Sequence, residues 1–307
     1  MDIVNLTGIS RASLYRIVHG VGRSILECNH PEVDNIHFPQ TPDECKKAAA
    51  DFQSISHLGV FGNVVCAVDG YLLKLIEPSK KHVGNVWSFF SGHYQCFGMN
   101  VQAACDAHCR FVFIGLAAPG VMPDREAVKE VELGRFIENL PLGFVAMADT
   151  AYEVSERMCA LFYGDQAKKK ENDNFNFYGS QLRIRIEMAF GLLNMKWGVL
   201  QKPMRMNPNK LKLHLVAIAR LHNYVINERL RLQKKGAFDS VQQAEDARKQ
   251  CRPSTPIDEN GDPVEDKTAK ESLLVLPSPL IPGHSTVRFA MVRKVKRWNL
   301  KRPVSLK

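Results

Sequence analysis

The sequence predicts an α/β domain of mixed α+β type. Its sheet is flanked by helices, a small helical unit precedes it and a flexible tail follows it. Three observations carry that expectation. β-rich runs dominate the stretch between residues 61 and 200. Ser180 to Met195, free of proline, and Leu211 to Leu232 read as long helices. Near the start, Leu14, Ile17, Val18, Val21 and Ile25 recur with the spacing of one helix face. The 307 residues are 45% hydrophobic and 24% charged. That is ordinary globular usage, and it excludes a collagen-like, coiled-coil or wholly disordered chain.

Taken in order, Asp2 to Leu6 reads as a short helix and Gly8 as a turn. Ser10 then caps a second helix that carries Arg11, Ser13, Arg16 and His19 on its polar side. Residues 1–30 thus have the layout of a helix-turn-helix-like DNA-binding segment, or of an amphipathic pair packed on a larger domain. Residues 31–60 form a proline-containing linker, with a short helix near Glu44 to Ala50. In the main domain, 61–232, Val64 to Val68, Leu72 to Ile76, Phe97 to Ala104, Phe111 to Leu116 and Gly143 to Ala148 read as strands. Pro123 to Leu140 reads as one helix. Strands followed by helices in this mixture suggest a covered sheet. Residues 233–282 are polar, with Phe238 as their one aromatic residue, and read as a flexible linker. Residues 283–307 contain a basic helix, Ser285 to Leu300, and a tail.

Lys and Arg number 41 against 32 Asp and Glu, a formal net charge of +9. A basic chain of this kind suits nucleic acid, because neutralising phosphates releases counterions. The longest apolar stretch, Phe111 to Pro119, falls short of the roughly 18–20 residues of a membrane span. Met1 to Thr7 lacks the basic-then-apolar layout of a secretory signal. No membrane partner is expected. The eight cysteines are sparse enough to be read as thiols of a reducing compartment.

Three acids stand out. Asp69 ends the apolar run Val64 to Val68, and Asp149 ends Phe144 to Ala148. Glu187 sits among apolar residues in the Ser180–Met195 helix. Each has a plain alternative. Asp69-Gly70 in isolation reads as a hairpin turn, Asp149 as an Asx-turn or cap, and Glu187 as a surface partner of Arg183 four residues earlier. Together they suggest metal-assisted phosphodiester chemistry. Mg²⁺ or Mn²⁺ takes carboxylate oxygens converging from separate elements, and paired cations about 3.5–4 Å apart stabilise attacking and leaving oxygens. The intervals of 80 and 38 residues leave room for the intervening strands and a helix. Lys168, Lys169 and Lys170, then Arg183, Arg185, Lys196, Lys202 and Arg205, flank the third acid, either as a solvated face or as a grip on phosphates. His93, Cys96, Cys105 and Cys109 have spacing that could hold zinc, while alternation there suggests a strand. Trp87, Phe89 and Phe90 could stack on unpaired bases, or pack a core.

The sequence resembles Harbinger-type DDE transposases and their domesticated nuclease relatives. The resemblance rests on Ala67-Val68-Asp69-Gly70, Met99 to Ala103 with Cys105-Asp106, Ala118-Pro119-Gly120 with Asp124, Ala148 to Tyr152, and Arg183 through Glu187 to Leu193. It covers roughly Val60 to Glu228. It implies a ribonuclease H-like mixed sheet over 61–232, with Asp69, Asp149 and Glu187 as the catalytic and metal-binding triad. It further implies divalent Mg²⁺ or Mn²⁺ as cofactor and action in the nucleus on double-stranded DNA, often assisted by a separate DNA-binding partner protein. The expected activity is that of an endonuclease or transposase: a metal-activated water or a 3′-hydroxyl attacks in line at transposon ends. Arg11, Ser13, Arg16, Lys168, Lys169, Arg183, Arg185 and Lys196 are the candidate DNA contacts. A catalytically silent, transposase-derived DNA-binding protein is the alternative. The sequence leaves the oligomeric state open.

Overall fold

Val64–Lys74 forms a single strand, β1, at the centre of a six-stranded sheet. The computed structural model of the protein describes residues 7–81, 83–205, 208–234 and 286–303. Asp69-Gly70 is therefore no hairpin turn, and the two runs read as separate strands are one. The turn signal fails because the residues after Gly70 still find ladder partners. β3 (Cys96–Cys105) pairs antiparallel along β1 as far as Lys74. β4 (Phe111–Pro119) lies antiparallel outside β3, and the two-residue β2 (Phe90–Ser91) pairs with the start of β3. On the other side of β1, β5 (Val145–Ala148) and β6 (Met158–Ala160) run parallel to it. The sheet is thus mixed, with the antiparallel strands on one side and the parallel strands on the other.

Both faces are covered. Leu73, Val101, Phe111 and Met147 pack on one face beneath α6 (Lys170–Lys196) and α7 (Pro208–Lys234), and α8 (Thr286–Arg297) docks on α6. Val65, Val68, Ala104 and Ala146 pack on the other face, against α2 (Pro42–Ile55) and α4 (Glu132–Glu138). β4 is an edge strand, and Asn223 of α7 closes part of that edge. Its side-chain oxygen accepts from the Phe111 N–H at 2.8 Å while its amide donates to the Phe111 carbonyl at 2.8 Å.

Several boundaries differ from the expected ones. α2 runs for 14 residues rather than the seven expected near Glu44. The Thr41 hydroxyl accepts from the Glu44 N–H while the Glu44 carboxylate accepts from the Thr41 N–H, and Pro42 opens the helix. Backbone donors from Thr41 and Gln40 hold the Glu44 carboxyl down to about 2. Pro123 to Leu140 is broken into α3 (Asp124–Ala127) and α4, where the Gly134 N–H turns back to the Val128 carbonyl. α6 begins ten residues before Ser180. Its asparagine-rich first turns are poor helix formers, and burial of Phe175 and Tyr178 overrides that propensity. Neither β6 nor the short α5 (Gly164–Ala167) was expected. The seven described cysteines are free thiols. Among the described residues no helix is long and apolar enough to cross a membrane. The expected helix Asp2–Leu6 and nearly all of the expected flexible linker lie outside the described residues.

α1 (Arg11–Glu27) is capped as expected, the Ser10 hydroxyl accepting from the Ser13 N–H at 3.1 Å. Its packing face is not the expected one. Ile17, Val18 and Val21 are 51%, 44% and 54% exposed. The contact with α7 runs instead through Gly22, through a 2.6 Å bond between the His19 and His214 rings, and through Arg220, which donates to the Ile25 and Leu26 carbonyls. Gly22 lets the two helices approach closely, since a Cβ there would lie 2.7 Å from the Leu213 side chain and 3.3 Å from His214. Gly22→Val is expected to cost about 1–3 kcal/mol by overpacking and to lift α1. Faster tryptic cleavage at Arg11, Arg16 and Arg23 than in wild type is the measurement that checks it.

Candidate active site

The parallel pairing of β1 with β5 builds the site. Its register matches Ala67 with Met147, and two residues further along each strand stand Asp69 and Asp149. Asp69 therefore stands midway along β1, beside Asp149, which directly follows the carboxyl end of parallel β5, and the carboxyl end of a strand is where open α/β sheets place ligands. β3 continues beside β1 past this point and pairs Asp69 with Ala103. β5 stops at Ala148, one residue before Asp149. Asp69 and Asp149 are both half-buried. The Gly70 N–H donates to Asp69 Oδ1 at 2.8 Å, and the Ala151 N–H donates to Asp149 Oδ1 at 2.7 Å. Asp149 thus does form the Asx-turn that was its plain alternative, through one of its two oxygens.

α6 brings the third acid. Arg183 Nη1 lies 2.7 Å from Glu187 Oε1 and 3.8 Å from Asp69 Oδ2, so one guanidinium links both carboxylates. The Arg183 side chain is only 18% exposed, against 46% for Glu187. The pair is hence no fully solvated surface bridge. Arg183 Nε is buried without a hydrogen-bond partner among the described residues. Among those residues no group of three His, Cys, Asp or Glu side chains is gathered as a ready metal cage. Glu187, held by Arg183, reaches the pair of aspartates through that arginine.

The electrostatics are those of crowded negative charge. Burial, then the neighbouring Asp149 carboxylate, push the Asp69 carboxyl up to about 7, while the Gly70 N–H and Arg183 pull the other way. Tyr94 and Tyr152 also feel Asp124, Asp69 and Asp149, though burial is the larger cause of their raised phenol pKa values. A set of hard carboxylate oxygens offset by a single guanidinium fits Mg²⁺ or Mn²⁺, and binding either would favour the ionised form of Asp69 that burial and then Asp149 disfavour.

The candidate DNA contacts do not gather into one patch. Arg183 alone among them joins the acids. Arg185, two residues on, turns to the other side of α6, toward Cys109, whose thiol pKa it pulls down against the larger effect of burial. Lys168 pairs with Asp165 at 2.7 Å, and Lys169 caps α6. Lys196 ends α6, about 40 Å from Lys169 at 1.5 Å per residue. Arg11, Ser13 and Arg16 lie on α1, where Arg16 donates to the Ser13 hydroxyl at 3.1 Å. The zinc spacing is not realised: Cys96 and Cys105 sit at opposite ends of β3, about 30 Å apart at strand rise. Of the three aromatic residues, Phe89 is buried, Phe90 half-buried and Trp87 72% exposed.

Sequence reasoning did not single out the polar network behind Asp69. Asn100 and Gln102 both donate to Asp124 Oδ1, at 2.8 and 2.9 Å, and Tyr152 donates to Gln102 Oε1 at 2.7 Å. The available signal was two amides at i and i+2 in an otherwise apolar strand, marking a polar stripe on one face.

A family model described as DDE superfamily endonuclease matches residues 68–223, half of the chain and the stretch that holds all three acids. No curated protein and no solved structure matches the chain significantly.

Folded Asp69 holds its proton more tightly than the unfolded chain does. Folding therefore takes up a proton between pH 3.8 and about 7, and this group's contribution to stability falls as pH rises through that window. In the metal-free protein, Asp69→Asn is expected to raise the melting temperature at pH 8 by roughly 4–8 °C, for a relief of about 2 kcal/mol. The difference should vanish below pH 4. Thermal melts across that range check it.

Proposed function

The chain belongs to the DDE superfamily endonuclease family, and on that footing we propose that it is a metal-dependent DNA endonuclease of Harbinger transposase type. It cleaves phosphodiester bonds at transposon ends by in-line attack of water or of a 3′-hydroxyl. The observation that carries the reading is the register that sets Asp69 beside Asp149, with Arg183 drawing Glu187 to them from α6. The mixed sheet supports a ribonuclease H-like core: a central strand, antiparallel neighbours on one side and parallel ones on the other.

In this reading Asp69, Asp149 and Glu187 hold the cation. Bound Mg²⁺ or Mn²⁺ supplies Lewis acidity at the phosphate and lowers the pKa of the attacking water. The chain's own contribution is placement. The Ala151 N–H fixes one oxygen of Asp149 and leaves the other to bind. The Gly70 N–H does the same for Asp69. Arg183, beside both Asp69 and Glu187 and with its Nε unpartnered among the described residues, would serve as a positioned donor to the scissile phosphate. Duplex DNA is gripped by α1 through Arg11, Ser13 and Arg16, acting as a helix-turn-helix, and by Lys168, Lys169, Arg185 and Lys196 around α6. The setting is the nucleus, with a separate DNA-binding protein assisting.

A second reading keeps the fold without the cleavage. Arg183 contacts both Asp69 and Glu187, and a guanidinium so placed supplies the positive charge that a cation would otherwise bring. A catalytically silent DNA-binding protein derived from a transposase would look the same.

Asp149→Asn is expected to abolish Mn²⁺-dependent nicking of duplex DNA, a drop of at least a hundredfold, with duplex affinity nearly unchanged. Gel assays of both quantities decide between the two readings, since the silent protein nicks in neither form. Arg16→Ala is expected to weaken duplex binding severalfold and to lower the slope of log K against log salt by about one. A salt titration of binding measures both.

A further inference from the structure

The face of the sheet opposite the three acids carries a buried polar network that neither binding nor cleavage uses. The β1–β3 register pairs Asp69 with Ala103, Gly70 with Gln102 and Leu72 with Asn100. Side chains alternate along a strand, so Gln102 and Asn100 point away from Asp69. Val101 and Ala103 lie in the core under α6, and Ala104 lies in the core on the other face. Gln102 is fully buried. Its amide donates to Asn100 Oδ1 at 2.8 Å and to Asp124 Oδ1 at 2.9 Å, and its carbonyl accepts from the Tyr152 hydroxyl at 2.7 Å. Asn100 donates to the same Asp124 oxygen and to the Met122 carbonyl. The Asp124 carboxylate lies against Gly70, where a Cβ would stand 2.0 Å from Oδ1. Gly70 is therefore glycine because a carboxylate occupies the place of its side chain.

These contacts join four pieces of chain: β1 at Gly70, β3 at Asn100 and Gln102, the start of α3 at Asp124, and the turn after β5 at Tyr152. Tyr152 follows Asp149 by three residues, and its ring is buried among the side chains of that face. The turn carrying Asp149 is thus pinned twice, by the Ala151 N–H in front and by the Tyr152 hydroxyl behind. A buried amide satisfied on three sides adds little stability over an apolar side chain of its size. Its effect is to fix the relative placement of the groups it joins.

We propose that Gln102 and Tyr152 are positioning residues that hold the Asp149 turn at its spacing from Asp69, acting from the reverse side of the sheet. The inference rests on the reading of Asp69 and Asp149 as the cation site. Tyr152→Phe removes one hydroxyl and keeps the ring. Gln102→Met keeps the volume and removes the amide.

The test is calorimetric titration of Mn²⁺ alone into the whole chain, beside nicking kinetics and thermal melts, with Asp149→Asn as reference. Tyr152→Phe and Gln102→Met are expected to bind Mn²⁺ about tenfold more weakly and to lower kcat with KM for DNA unchanged. A melting temperature that falls while Mn²⁺ affinity stays at the wild-type value overturns the proposal, because the network then serves folding alone. Should Gln102→Met fail to fold, Tyr152→Phe decides. If Asp149→Asn loses Mn²⁺ and Tyr152→Phe keeps it, only this inference falls. If Asp149→Asn itself binds Mn²⁺ as wild type does, the cation-site reading falls and takes this inference with it.

Discussion

Asp69, midway along β1, and Asp149, just past the end of parallel β5, repel each other, and the molecule holds them together regardless. That repulsion is the constraint around which the rest is arranged. Burial sharpens it, since a charge half-withdrawn from water finds less screening from solvent. Relief comes in small amounts. Backbone N–H groups from Gly70 and Ala151 each take one oxygen, and a single guanidinium stands between Asp69 and Glu187. A fold selected for stability alone would place apolar side chains there. Acids crowded together in this way mark a functional site, which we read as a cation site.

Helices on both faces make the repulsion sustainable. α6 and α7 cover one side, α2 and α4 the other, so that β1 and β5 cannot splay apart to separate their acids. Asn223 pairs with the outer strand at Phe111 and extends that restraint to the sheet's edge. Polar side chains act here as fixed points within an otherwise apolar frame, and the Asn223 amide is matched on both its donor and its acceptor side.

Much of this was legible in the residues. The apolar runs ending in Asp69 and Asp149 showed two buried strands, although only the second ends there, since β1 runs on to Lys74. The two long helices were plain from composition, although α6 starts earlier than its composition allows. Misreadings followed where tertiary contacts overrode local signals. Asp69-Gly70 has the chemistry of a turn, and nothing local reveals that a distant carboxylate, Asp124, requires the glycine. α1 has a clean apolar stripe, yet it packs by a glycine and a histidine, since close approach to α7 wins over area at that crossing. The role of Arg183 was half legible. Sequence offered it as a phosphate contact and as the partner of Glu187 four residues on, and only folding shows that it also reaches Asp69.

The docking of α8 has a consequence of its own. This helix is covalently joined to α7 through residues 235–285, yet its contacts are with α6 and the region around β6. Arg288 donates to the Ala160 carbonyl and stacks on Phe162, Tyr178 donates to the Lys301 carbonyl, and Lys296 and Arg302 pair with Glu171 and Asp173. The peptide connection and the surface that retains the helix are thus separate things. A cut anywhere along that join would leave every one of these contacts in place, so the helix is retained by its seat and not by its tether.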